Sequence, residues 1–179
     1  MTKVIISKFD AVRAQIDAAI ELYFVSDNLV ATHTLTAAAY NLLRDIAKKD
    51  GSEYPFLKSG FIKELSEKEK KQLIQFLNKP ENFFKHADHD SDDSLSFDPE
   101  LTEIMLIDAC SYFKNRKIEK PKNYEVFKAW VGKIKDDINV GTDSRLFLEL
   151  LLAAFKAGGK KQFWDNFSKH LINRSKVRS

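Results

Sequence analysis

The chain has 179 residues, 44% hydrophobic and 31% charged, with a formal net charge of only +3. That length suits one domain able to bury a core without metal or disulfide support. The near-balance of charge excludes a globally nucleic-acid-like surface. Fourteen Phe against six Gly and four Pro favours long helices packed through aromatic side chains over a turn-rich β fold.

The elements follow in chain order. Phe9, Val12, Ile16, Ile20 and Tyr23 recur at three- and four-residue spacing and predict a first helix from about Lys8 to Phe24. Asp27 or Asn28 can cap a second helix, Leu29 to about Lys48, by accepting from its unpaired N–H groups. Its small residues, among them Ala31, Thr32, Thr36 and Ala37, allow close helix approach and place it centrally. A polar turn follows from Lys49 to Pro55. Ser66 with Glu69 reads as a capping box opening a helix through Leu77. Pro80 either stops that helix or starts the next turn, and Asn82 to Ala87 looks helical. Asp88 to Phe97 reads as an exposed acidic loop. Asp98-Pro99 with Glu100 and Glu103 starts a helix reaching about Asn115. Pro121 opens another, with Tyr124, Phe127, Val131 and Ile134 on one side. Two more are expected: one from about Thr142 to Gly158-Gly159, and a last one carrying Phe163, Trp164, Phe167, Leu171 and Ile172. The expectation is a single all-α domain over residues 1–179, a bundle or orthogonal array of seven to eight helices.

No stretch is apolar and long enough to span a bilayer: Leu146 to Phe155 is short and carries Glu149. The first residues show no signal-peptide pattern, so a soluble cytoplasmic protein is expected. Cys110 lies in an apolar helical context and reads as a buried, inert thiol. The basic C-terminal residues, Lys156 through Arg178, read as a solvated helix face and tail.

Chemistry concentrates between Asn82 and Asp90 (NFFKHADHD). Asp88, Asp90 and Asp92 match positions one, three and five of a calcium loop. Asp93 stands where that loop needs Gly, and Pro99 where it needs a bidentate Glu, which argues against calcium. A transition metal could use His86, His89, Asp88 and Asp90, with His33 as a further ligand. His89-Asp90 also resembles the metal pair of HD-domain phosphohydrolases. There is no nucleophile-elbow motif and no phosphate-binding Gly loop. The residues imply no cofactor.

Two stretches together resemble the HEPN superfamily (higher eukaryotes and prokaryotes nucleotide-binding). One is the opening pair, Ala18-Ala19-Ile20-Glu21-Leu22-Tyr23 and then Ala31-Thr32-His33-Thr34-Leu35. The other is Glu81-Asn82-Phe83-Phe84-Lys85-His86, similar in spacing to that superfamily's ribonuclease motif of Arg, a polar residue, three residues and His. Asn82 matches the polar position and His86 the His. The resemblance implies a helical bundle that often dimerises, with RNA-cleaving active members. Glu81 occupies the Arg position, where it would repel phosphate instead of neutralising it, and this implies a non-catalytic relative. The expected function is a helical binding or interaction module, with a protein partner or a second copy. Its candidate site comprises Asn82, Lys85, His86, Asp88 and His33. The alternative is a metal-dependent hydrolase or ribonuclease using residues 82–90.

Overall fold

Ser7 caps the first helix. Its hydroxyl accepts from the Asp10 N–H at 3.1 Å while the Asp10 carboxylate accepts from the Ser7 N–H at 2.9 Å, a reciprocal capping box. In a computed structural model, which describes residues 2–136 apart from positions 53, 56, 60, 89, 90 and 115, this box opens helix α1, Lys8–Val25. Four more α-helices follow among the described residues: α2 Leu29–Asp50, α3 Glu67–Lys85, α4 Glu100–Ser111 and α5 Tyr124–Asp136. A short 3-10 turn, Phe61–Glu64, precedes α3. The described residues contain no strand, so this part of the chain is all-α. No described helix is long and apolar enough to cross a membrane. The two helices expected beyond residue 140 lie outside the described residues.

α1 and α2 form an antiparallel pair joined by Ser26-Asp27-Asn28. Asn28 caps α2 by accepting from Ala31 N–H at 3.0 Å, and Gly51, at φ 73°, closes it in the left-handed conformation that glycine takes freely. α2 packs against α1, α3 and α4, the central position its small residues predict. Three threonines on this helix return their hydroxyls to the carbonyl four residues back, Thr32 to Asn28, Thr34 to Val30 and Thr36 to Thr32, at 2.8–2.9 Å. Thr32 and Thr36 are buried, and these internal bonds satisfy their hydroxyls inside the core.

The core is built from Val12, Ile16, Ile20 and Phe24 of α1, Ala37, Tyr40 and Leu43 of α2, Met105 and Leu106 of α4, and Phe127 and Trp130 of α5. Each large aliphatic among them contributes about 1.5–3 kcal/mol by leaving water. Phe24 meets Phe127 and Trp130 edge-on at 6.3 and 5.9 Å. The Trp130 indole N–H donates to Tyr23 Oη at 3.2 Å. Asp17 accepts from the Asn123 backbone N–H at 2.8 Å, which fixes the start of α5 against α1.

Two boundaries differ from the sequence reading. α3 does not stop before Pro80 but runs through it to Lys85. Proline removes one backbone donor, here the one that Phe76 C=O would use. Phe76 is 59% exposed, so water can take the donor's place, while the Pro80 ring is buried. α4 ends at Ser111, short of Asn115, and residues 112–114 form a turn. Asp98 Oδ1 accepts from Glu100 N–H at 3.0 Å and marks the start of α4.

Candidate functional site

At 3.6 residues per turn, α3 sends its last polar residues to two sides. Glu81 and Lys85 share one, and Asn78 stands at the boundary, bonded to Lys58 and also lining a groove on the other side. Glu81 is only 8% exposed. Its two carboxylate oxygens each accept from Asn41 Nδ2 at 2.9 Å, and Lys85 Nζ donates at 2.6 Å. The loop before α3 supplies Lys58, also buried, whose Nζ donates to Asn78 Oδ1 at 2.6 Å and to Asn41 Oδ1 at 3.4 Å. Burial pushes the Glu81 carboxyl up, but the bonds from Lys85 and Asn41 and the charges of Lys85 and Lys58 outweigh it and hold it below its ordinary value. Burial pulls the Lys58 ammonium down to about 8, against the opposing attraction of Glu81. The network continues into the core. Lys58 N–H donates to Tyr40 Oη at 3.3 Å, and Tyr40 O–H and Leu57 N–H donate to Asp108 at 2.6 and 2.9 Å. It ties α2, α3, α4 and the 57–58 turn together.

His33 lies apart from the acidic loop's carboxylates, fully buried on α2. Its Nδ1 is 2.9 Å from Thr102 Oγ1 of α4, and its ring meets Phe84 and Phe97 edge-on at 5.7 and 5.1 Å. Nε2 has no hydrogen-bond partner. Placing the proton on Nδ1 leaves an acceptor unsatisfied there instead of a donor, the cheaper arrangement. Burial pulls the imidazole down to about 4, with Glu81 raising it and Lys58 and Lys85 lowering it. His33 is therefore a neutral core residue at pH 7. Cys110 is likewise buried, and burial pushes its thiol up, away from thiolate chemistry.

The other side of α3 faces an open groove of about 550 Å³ between the helix and the loop that follows it. Ile74, Phe83 and Leu95 give it apolar walls, Gln75, Asn78 and Asn82 a row of amides, and Asp88 and Asp93 a carboxylate rim. His86 closes α3 through its N–H to Asn82 C=O at 3.0 Å and lines the groove with an exposed side chain. Lys79 is the lone fixed cation among the described residues that line it.

Of the residues singled out by sequence, Asn82, His86 and Asp88 come together in this groove. Lys85 turns to Glu81, and His33 sits in the aromatic pocket. His89 and Asp90 lie outside the described residues. Among the described residues, no group of three or more His, Cys, Asp or Glu side chains is placed to hold a metal ion. Sequence reasoning missed the Asn41–Lys58–Glu81 network. The four-residue step from Glu81 to Lys85 could have signalled its ion pair, but nothing local points to Asn41 or Lys58.

The described residues thus form an all-α fold with a buried polar network behind α3 and an open mixed groove in front of it. The comparisons with family models, curated proteins and solved structures found no match to the chain.

Proposed function

We propose that the chain is a non-catalytic, cytoplasmic binding module, a single domain of seven to eight helices with a HEPN-like core. It takes a segment of a protein partner into the groove lined by Asn82, His86 and Asp88. The observation that carries this reading is the division of α3's polar residues. Glu81, at the place of the ribonuclease motif's Arg, turns inward to Lys85 and Asn41, while Asn82 and His86 face the groove. The positions matching the motif's Arg and His are thereby separated, and among the described residues Lys79 is the one lining cation for a phosphate. A groove with apolar walls, an amide row and charged rims suits a peptide, whose backbone and side chains need all three.

Random short peptides selected on the purified chain, then titrated against an Asn82→Trp variant that fills the groove, test this. Binding is expected to weaken by about tenfold or more. Peptides insensitive to that variant, RNA cleavage abolished by His86→Ala, or metal-dependent hydrolysis lost with His86 or Asp88 would overturn the reading. Glu81→Arg, which writes the motif's Arg back, is expected to confer no cleavage. It places a third cation beside Lys58 and Lys85 and costs about 3–5 kcal/mol in urea unfolding.

A further inference from the structure

At the end of α2 a second constellation is built from residues that take no part in the groove. Gly51 turns the chain out of α2, and Tyr54 comes to stand edge-on to Tyr112, ring centroids 6.3 Å apart and planes at 82°. Two nearly perpendicular rings make a corner. Phe9 flanks Tyr112 at 6.3 Å. Asp50 supplies the charge, its Oδ2 accepting from Tyr112 O–H at 3.1 Å. A cation already sits in this corner. The Arg116 guanidinium carbon lies 4.1 Å from the Tyr112 centroid and 5.8 Å from that of Tyr54, and Nη1 donates to Asp50 Oδ2 at 3.1 Å.

We propose that this corner is a cation-binding site for a quaternary ammonium group, and that Arg116 is its resident intramolecular occupant. Ring faces attract weakly hydrated cations, and two tyrosines with a carboxylate are the elements such recognition uses. The donor balance selects among cations. With Arg116 withdrawn, Asp50 keeps donors on both oxygens, Ser52 N–H to Oδ1 at 2.9 Å and Tyr112 O–H to Oδ2. It then needs compensating charge more than further hydrogen bonds. A quaternary ammonium brings charge with no N–H to satisfy, whereas a primary ammonium brings three donors and a tight hydration shell. The occupant can leave: the Arg116 side chain is 31% exposed, and Tyr54 is 38% exposed on the outer wall. A surface ion pair of this kind holds weakly.

Tetramethylammonium is titrated into the full chain and into Arg116→Ala, with the tyrosine ring protons followed by NMR and ammonium chloride at equal ionic strength as the control. A saturable response at Tyr54 and Tyr112 is expected in Arg116→Ala, at least about fivefold tighter than in the unaltered chain. It should vanish when Asp50→Asn and Tyr54→Leu are added. N-acetyl-lysine amide should give no such response. Choline and N-acetyl-trimethyllysine amide, run in parallel, tell a small-molecule source from a protein one, and preference for either supports the site. Arg116→Gln, which keeps the side-chain stem, serves if the alanine variant unfolds. Absence of a saturable response in the folded variant, or an equal response to unmethylated lysine, overturns the proposal.

Discussion

His33 shows how burial decides the role of a residue whose type suggests chemistry. The ring is enclosed by Thr102, Phe84 and Phe97, and its ordinary value of 6.5 falls to about 4. The folded chain disfavours the charged form, so the unfolded chain binds the proton first as pH drops. Stability from neutral His33 is complete above the unfolded value of 6.5 and is lost as pH falls from there toward 4. The loss reaches about 2 kcal/mol by pH 5. His33→Gln removes this titration. Between pH 7 and pH 5 the urea-unfolding free energy of the unaltered chain is expected to fall by that amount more than that of the variant. Glu81 contributes with the same sign but in a lower window, since its folded value is held below the ordinary 4.5. The two effects are therefore separable by pH.

At the scale of elements, the chain's capping signals were legible. Ser7 with Asp10 and Ser66 with Glu69 form reciprocal boxes, and the second of these is readable from residue type and spacing alone. Pro80 was misread because local rules treat proline as a breaker, while α3 carries it with the ring buried and Phe76, whose carbonyl loses its donor, at an exposed position. Pro80→Ala restores the backbone bond, worth about 3 kcal/mol in helix propensity. It forfeits about 1–2 kcal/mol of ring burial. A net gain of about 1–2 kcal/mol is expected, seen as a raised thermal midpoint; a lowered one would mean that the ring's packing outweighs the helix it interrupts.

Across the whole described molecule, α5 is attached to α1 by aromatic packing and by the Asn123–Asp17 and Trp130–Tyr23 bonds, with Arg13 joining Glu119 beside them. Phe127 is almost fully buried at that seam. Phe127→Ala is expected to cost about 3–5 kcal/mol in urea unfolding, the transfer and cavity cost of a buried aromatic. A loss within experimental error would show that α5 contributes little to the stability of the rest.

Periodicity and composition by themselves determined the all-α class of the described residues, the places of α1 and α2 and the central position of α2, because helix faces and caps are set by residues three or four apart. They also marked Asn82, His86 and Asp88, which are close in the chain and meet in one groove. Only the tertiary structure decided the rest. Asn41 and Glu81 are forty residues apart, and His33 and Thr102 sixty-nine. Whether such polar side chains are buried partners or exposed reagents depends on which helix faces meet, and no local spacing records that. Glu81 makes the point: by sequence it is a carboxylate in the wrong place for phosphate, and in the fold it is the buried counter-ion that helps hold three segments together.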